Sequence, residues 1–191
     1  QTMNPSADDI AQACRKINAE NIIILPNNKN IILSAEQSRT LVQNRNIFVL
    51  QTKDIPQGLA AVLGYNPEAS LKDNLENMSQ AFHEVDAGQV TYAVRDTEID
   101  GIEIKKDDIL GMVEGKIVTV GKDIDDVLNR VVSQMVDEDT EFLNVYYGKE
   151  IKKPQADVML KALETKYADD EIEVSFKKGG QPLYYYYFSV E

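Results

Sequence analysis

Residues 22–30, Ile22-Ile-Ile-Leu-Pro-Asn27-Asn28-Lys29-Asn30, decide the fold class. Four consecutive apolar side chains read as a short strand buried on both faces, the kind found in parallel sheets covered by helices. Pro26 stops the run, and a cluster of amides precedes a helical pattern around Ser34–Val42. In open α/β sheets ligands and partners are met at the carboxyl ends of strands, where such a loop sits. The segment therefore sets both an architecture and a candidate working surface.

Upstream, Ile10, Ala13, Cys14 and Ile17 follow the i, i+3, i+4, i+7 stripe of an amphipathic helix. Ser6 suits its N-cap and Asp9 the capping-box position. Cys14 falls on that stripe and reads as a small core hydrophobe. Downstream, strand 47–50 ends at Gln51-Thr52-Lys53-Asp54, and Ile55-Pro-Gln57-Gly58 opens another helix, with Pro56 tolerated in its first turn. After Asn66-Pro67, a longer helix carries Leu71, Leu75, Met78 and Phe82 on one face, with His83 at its boundary.

The pattern changes at Asp86-Ala87-Gly88. Residues 89–96 alternate with period two, Asp100-Gly101 reads as a hairpin turn, and Glu114-Gly115 as a second reversal. Beyond Gly121 a helix through Ile124–Met135, strand 142–147, a helix from Pro154, strand 172–176 and a last strand 183–190 follow. The fold class is α/β: helix–strand–helix–strand units at both ends around a central antiparallel β-hairpin block, with the sheets covered by helices. The expected sub-regions are an α/β lobe over 4–85, the hairpin block over 86–122 and an α/β lobe over 123–191. Identity between the two ends is too low to prove duplication, so a two-lobed pseudo-repeat rests on element order alone.

The chain of 191 residues carries 32 acidic and 20 basic residues, a formal net charge of −12. A phosphate backbone or an anionic membrane is repelled by such a surface, so neither is an expected partner. No apolar run approaches the length needed to cross a bilayer. One cysteine excludes an intrachain disulfide and points to a reducing cytoplasm, and with a single histidine no Cys/His zinc site can be built within the chain. The first residue is Gln1, which suggests a piece of a longer polypeptide.

Two stretches look like chemistry and fail on context. Gly111-Met-Val-Glu-Gly115-Lys116 is one residue short of a phosphate-binding P-loop, and Ile117 stands where Ser or Thr would hold magnesium. Asp96-Thr-Glu98-Ile-Asp100-Gly101 resembles the start of a calcium loop, but its twelfth position is Asp107 and Glu103 replaces an apolar residue. No serine or threonine has an evident base, so no catalytic residue and no metal ligand are assigned. What remains are four polar strand-end segments, with Asn27, Asn28, Lys29 and Asn30; Gln57; Arg95 and Asp96; and Gln181 as candidate partner-binding residues. Two readings stand side by side for them: amides and glycines that satisfy freed backbone groups, or a recognition surface. Arg95 offers a planar fork for carboxylate or phosphate, or pairs with Asp96 or Asp100. Tyr184-Tyr-Tyr-Tyr187-Phe188 places aromatics on both faces of one strand.

Six segments in order carry a resemblance: Ile24-Leu-Pro-Asn-Asn-Lys-Asn30, Ile55-Pro-Gln-Gly-Leu-Ala-Ala61, Asn66-Pro-Glu-Ala-Ser70, Val90-Thr-Tyr-Ala-Val-Arg-Asp-Thr97, Met135-Val-Asp-Glu-Asp139 and Gly179-Gly-Gln-Pro-Leu-Tyr-Tyr-Tyr186. They are similar to the C-terminal domain of the larger, dihydroxyacetone kinase-like (DAK2-type) component of bacterial fatty acid kinase, known as fatty acid kinase A. The resemblance implies a three-part kinase whose N-terminal domain binds ATP and magnesium. It further implies phosphorylation of fatty acids, held by a separate fatty-acid-binding subunit, to acyl phosphates for phospholipid synthesis. This portion would engage that subunit, would need no cofactor of its own and would not be catalytic alone. A homodimer of the full-length protein is a further expectation. The alternatives kept open are a domain that binds a small anion or lipid itself, and a structural dimerisation domain.

Overall fold

The computed structural model describes residues 4–99 and 101–191, in two compact units, Gln1–Val85 and Asp86–Glu191. The first opens with α1 (Ala7–Lys16), capped as expected: Ser6 Oγ accepts from the Asp9 N–H and Asp9 Oδ2 accepts from the Ser6 N–H. Strand β1 (Asn21–Ile24) then pairs in parallel with β2 (Asn46–Val49), with α2 (Lys29–Ser38) and a 3-10 turn (Arg39–Leu41) between them. Helices α3 (Ile55–Leu63) and α4 (Leu71–His83) complete the unit.

The alternation along β1 explains why an unbroken apolar run is needed. Ile22 packs with Ala11, Cys14, Val42 and Ile47, on the side where α1 lies. Ile23, Leu25 and Leu50 pack on the opposite side, against Ala60, Ala61, Met78 and Phe82 of α3 and α4. Both faces of the pair are therefore covered. Cys14 is 3% exposed, and burial pushes its thiol upward, as expected of a core residue rather than a nucleophile.

In the second unit, β3 (Asp86–Tyr92), β4 (Thr97–Ile99), β5 (Ile102–Ile104), β6 (Ile109–Val113) and β7 (Lys116–Gly121) precede α5 (Ile124–Met135), β8 (Phe142–Tyr147), α6 (Lys153–Lys166), β9 (Glu173–Lys178) and β10 (Tyr184–Val190). Six of these strands form one sheet in the order β7-β6-β3-β10-β8-β9, in which only β8 and β9 run parallel. The short pair β4–β5 stands apart from it. The expected boundary at 122 is thus not a structural one. Strand β10 lies between β3 of the hairpin block and β8, so 86–122 and 123–191 share a sheet and its main core, while Ala93, Ile104 and Leu110 form a smaller cluster within the hairpin block. Eighteen buried residues make up that core, among them Val127, Leu128 and Val131 of α5, Leu163 of α6, and Tyr186 and Phe188 of β10.

Gly88 corrects the expected strand start. The sequence shows a change of pattern at Asp86-Ala87-Gly88 with strand alternation from residue 89, yet β3 begins at Asp86. A Cβ on Gly88 would lie 2.2 Å from the Phe188 ring, so this glycine marks a close approach within a strand, not a turn.

Charge divides unevenly. Residues 86–191 hold 13 of the basic and 23 of the acidic residues, net −10, which leaves the first unit at net −2. No helix among the described residues is long and apolar enough to cross a membrane.

Candidate functional site

The carboxyl ends of β1 and β2 lie side by side, and the chain leaves each of them directly into a helix. Asn28 is the N-cap of α2, its Oδ1 accepting from the Asn30 N–H at 2.9 Å. This starts the helix at Lys29, five residues earlier than the periodicity suggests, so Lys29 and Asn30 occupy its first turn and not a loop. On the neighbouring strand end Asp54 caps α3, accepting from the Gln57 N–H at 2.9 Å. Gln57 is 5% exposed, and its Oε1 accepts from the Lys53 N–H at 2.8 Å, one residue before the cap. Two candidate amides are therefore structural cap residues, as the backbone-satisfying reading requires.

A residue without any mark in the sequence ties the two strand ends together. Thr52 is fully buried and its hydroxyl donates to the Pro26 carbonyl at 2.6 Å. Nothing in the sequence distinguishes this threonine from any other polar residue after a strand. Its importance exists only once β1 and β2 are paired. On the rim so fixed, Asn27 is half-buried and Lys29 and Asn30 are exposed, and their side chains have no hydrogen bond or ion pair with another described residue.

The second unit has its own pair of parallel strand ends, at β8 and β9. There Gln181 donates through Nε2 to the Tyr146 carbonyl at 2.8 Å, and the Gln181 carbonyl accepts from the Lys149 N–H at 3.1 Å. The Gly179 and Gly180 N–H groups both donate to the Tyr147 carbonyl at 3.0 Å. Gly148 closes this joint: a Cβ there would stand 2.1 Å from the Tyr184 carbonyl oxygen. Gln181 is thus a joint-forming residue too.

Arg95 and Asp96 lie in the turn between β3 and β4 of the same unit. Asp96 Oδ1 accepts from the Lys106 N–H at 2.7 Å and makes no ion pair with Arg95; Asp100, the other expected partner, lies outside the described residues. Arg95 is exposed. The base of this hairpin is held by Asp108, which accepts from the Lys105 N–H at 2.8 Å and bonds the Lys122 ammonium. The Lys122 bond, and then the backbone bond, hold the Asp108 carboxyl below its ordinary pKa. Deeper in the unit the Tyr186 hydroxyl donates to Asp125 at 3.1 Å, and burial, with Asp125 second, pushes its ionisation strongly upward.

Of the eight candidates, then, Asn28, Gln57, Asp96 and Gln181 are committed to internal bonds, while the side chains of Asn27, Lys29, Asn30 and Arg95 make no hydrogen bond or ion pair with another described residue. Among the described residues no group of three or more His, Cys, Asp or Glu is placed to hold a metal ion.

This architecture is shared with solved proteins that define a class. A DegV family protein from Ruminococcus gnavus with vaccenic acid superposes with a TM-score of 0.65 at 13% identity, over 100% of this chain and 78% of that one. The dihydroxyacetone kinase from C. freundii in complex with AMP-PNP and Mg2+ gives 0.63 at 14% identity, over 97% and 41%. The Streptococcus pneumoniae fatty acid kinase B3 protein loaded with linoleic acid gives 0.62 at 11% identity, over 98% and 76%. The fold class is thus that of the DegV and dihydroxyacetone kinase proteins.

Family membership follows from sequence. Residues 1–191 match the FakA-like C-terminal family model, which describes the C-terminal region of fatty acid kinase A-like proteins, and the chain belongs to that family. Proteins from Staphylococcus aureus and Staphylococcus epidermidis are 42% identical over 191 residues. The chain spans about a third of the length of these relatives, 34%.

Proposed function

We propose that this chain is the docking part of a fatty acid kinase. It binds a separate fatty-acid-carrying protein, and an ATP- and magnesium-binding domain elsewhere in the polypeptide then phosphorylates the bound fatty acid to an acyl phosphate. The chain's contribution is proximity: it holds the loaded carrier so that the lipid carboxylate meets the nucleotide. One observation carries the reading. At the carboxyl edge of β1–β2 the caps and the Thr52 clasp fix the backbone, while Asn27, Lys29 and Asn30 project polar groups that nothing else in the described chain engages. Preorganised polar groups of this kind bind a partner without a large ordering cost.

Titration calorimetry of the chain with the fatty-acid-loaded carrier protein tests this. Joint replacement of Asn27, Lys29 and Asn30 by alanine is expected to weaken binding by about tenfold or more, since the few dominant contact residues of a docking surface each cost more than about 1 kcal/mol. Unchanged affinity in that variant removes these residues from the interface. A rise in melting temperature with fatty acid alone, absent any partner, points instead to a domain that binds its own ligand.

A further inference from the structure

Among the described residues the β1–β2 sheet has two strands, and no third strand pairs with β2. The Asn46 and Leu50 N–H groups donate to the Glu20 and Ile24 carbonyls, so by the alternation of the ladder those of Ile47 and Val49 point away from β1. Along that edge runs a trough of about 590 Å3 lined by Glu36, Arg39, Thr40 and the consecutive residues Arg45–Phe48. Successive strand side chains point to opposite faces, so four in a row line one trough only where it follows the backbone edge. Ile47 confirms it, because its side chain is buried with Ala11 and Cys14 and cannot be what it presents.

Edge strands are usually blunted by charge, proline or cover. Asn46-Ile-Phe-Val49 has no charge and no proline. On one side of it stand Arg39, paired with Glu36 at 2.9 Å, and Arg45, whose guanidinium meets, among the described residues, the backbone carbonyls of Arg15, Ile17 and Ala19 and no carboxylate. Two positive charges face one negative there. On the opposite sheet face, Leu50 and the α4 residues Lys72, Leu75, Glu76, Ser79, Gln80 and His83 line a second hollow of about 540 Å3.

We infer that β2 receives an extended segment of a partner protein as a third strand. Main-chain bonds to Ile47 and Val49 supply the attachment. Alternate side chains choose the partner: a carboxylate over Arg39 and Arg45, and an apolar residue toward Leu50 and Leu75. The inference rests on the docking reading and adds how the partner is gripped.

Amide exchange of the labelled chain, with and without a saturating amount of the loaded fatty-acid-carrying protein, tests it. The Ile47 and Val49 amides are expected to slow by about tenfold or more, while Phe48, already bonded to β1, changes little. Val49→Pro removes the outward donor and keeps the β1 ladder; it should weaken binding by about tenfold, whereas Val49→Ala should not. Arg39→Glu reverses an exposed charge of the trough and should weaken binding by a similar factor, about tenfold, which keeps the test decisive if the proline variant fails to fold. Full-strength binding with Ile47 and Val49 unprotected overturns strand addition and leaves docking intact. No binding at all overturns both. Edge protection that grows with chain concentration, partner absent, makes a second copy the occupant and likewise overturns it.

Discussion

Two parallel strand pairs, β1–β2 and β8–β9, are each bridged by one helix, yet they are finished in different ways. In the second unit β10 lies against the open side of β8, and the outer strand β9 carries Glu173, Lys177 and Lys178. In the first unit helices pack on both faces, but β2 ends the sheet with uncharged residues. A lysine-bearing edge resists further pairing, whereas an apolar one invites it. The same βαβ unit thus serves as closed scaffold in one place and as open acceptor in the other.

That contrast can be broken at several points. The largest effect should come from the closed unit, where Phe188 is fully buried in the eighteen-residue core. Phe188→Ala should cost about 3–5 kcal/mol by denaturant unfolding, with amide protection lost in residues 86–191 and kept in the smaller clusters of the first unit. A uniform loss across both units would show that they do not unfold separately. Next, Thr52→Val leaves the Pro26 carbonyl unpaired and should destabilise the first unit by about 1–3 kcal/mol. Because the clasp fixes the rim, partner affinity should fall with it; stability loss without affinity loss would separate the rim from docking. Asp54→Ala removes the α3 cap and should cost about 1 kcal/mol by the same unfolding assay.

The smallest effect is a pH dependence in the second unit. The folded pKa of Asp108 is depressed, so its stabilisation is complete above the ordinary carboxylate value, near about 3.9, and is lost as pH falls through the folded value. Acid unfolding of Asp108→Asn should therefore lack this component and be flatter below about pH 4 than that of the parent chain. An identical acid limb in both would mean that the Lys122 bond does not persist in solution.

Periodicity and run length are enough to place most elements. Ile22–Leu25 reads as a strand covered on both faces, and apolar clusters do pack on both, with Ile22 buried and Ile23, Ile24 and Leu25 half-buried; the Ile124–Met135 stripe is the helix over the large sheet. What stays hidden depends on contacts distant in sequence. The start of α2 escapes the periodicity because Asn28 acts as a cap only when the strand before it stops at Pro26. Gly88 reads only as part of the change in pattern at 86–88, because Phe188, a hundred residues on, supplies the reason for a glycine there. The candidate site is legible as a set of strand-end amides. Sorting caps from free groups needs hydrogen-bond partners, and Thr52 has no signal of its own.

The concentration of charge in residues 86–191 has a colloidal consequence. Copies of this chain repel one another through the acidic half, and that repulsion reaches only about 8 Å at physiological ionic strength. The near-neutral half has little repulsion of its own. Raising salt should therefore drive the purified chain toward self-association, the opposite of what added salt does to proteins held together by ion pairs.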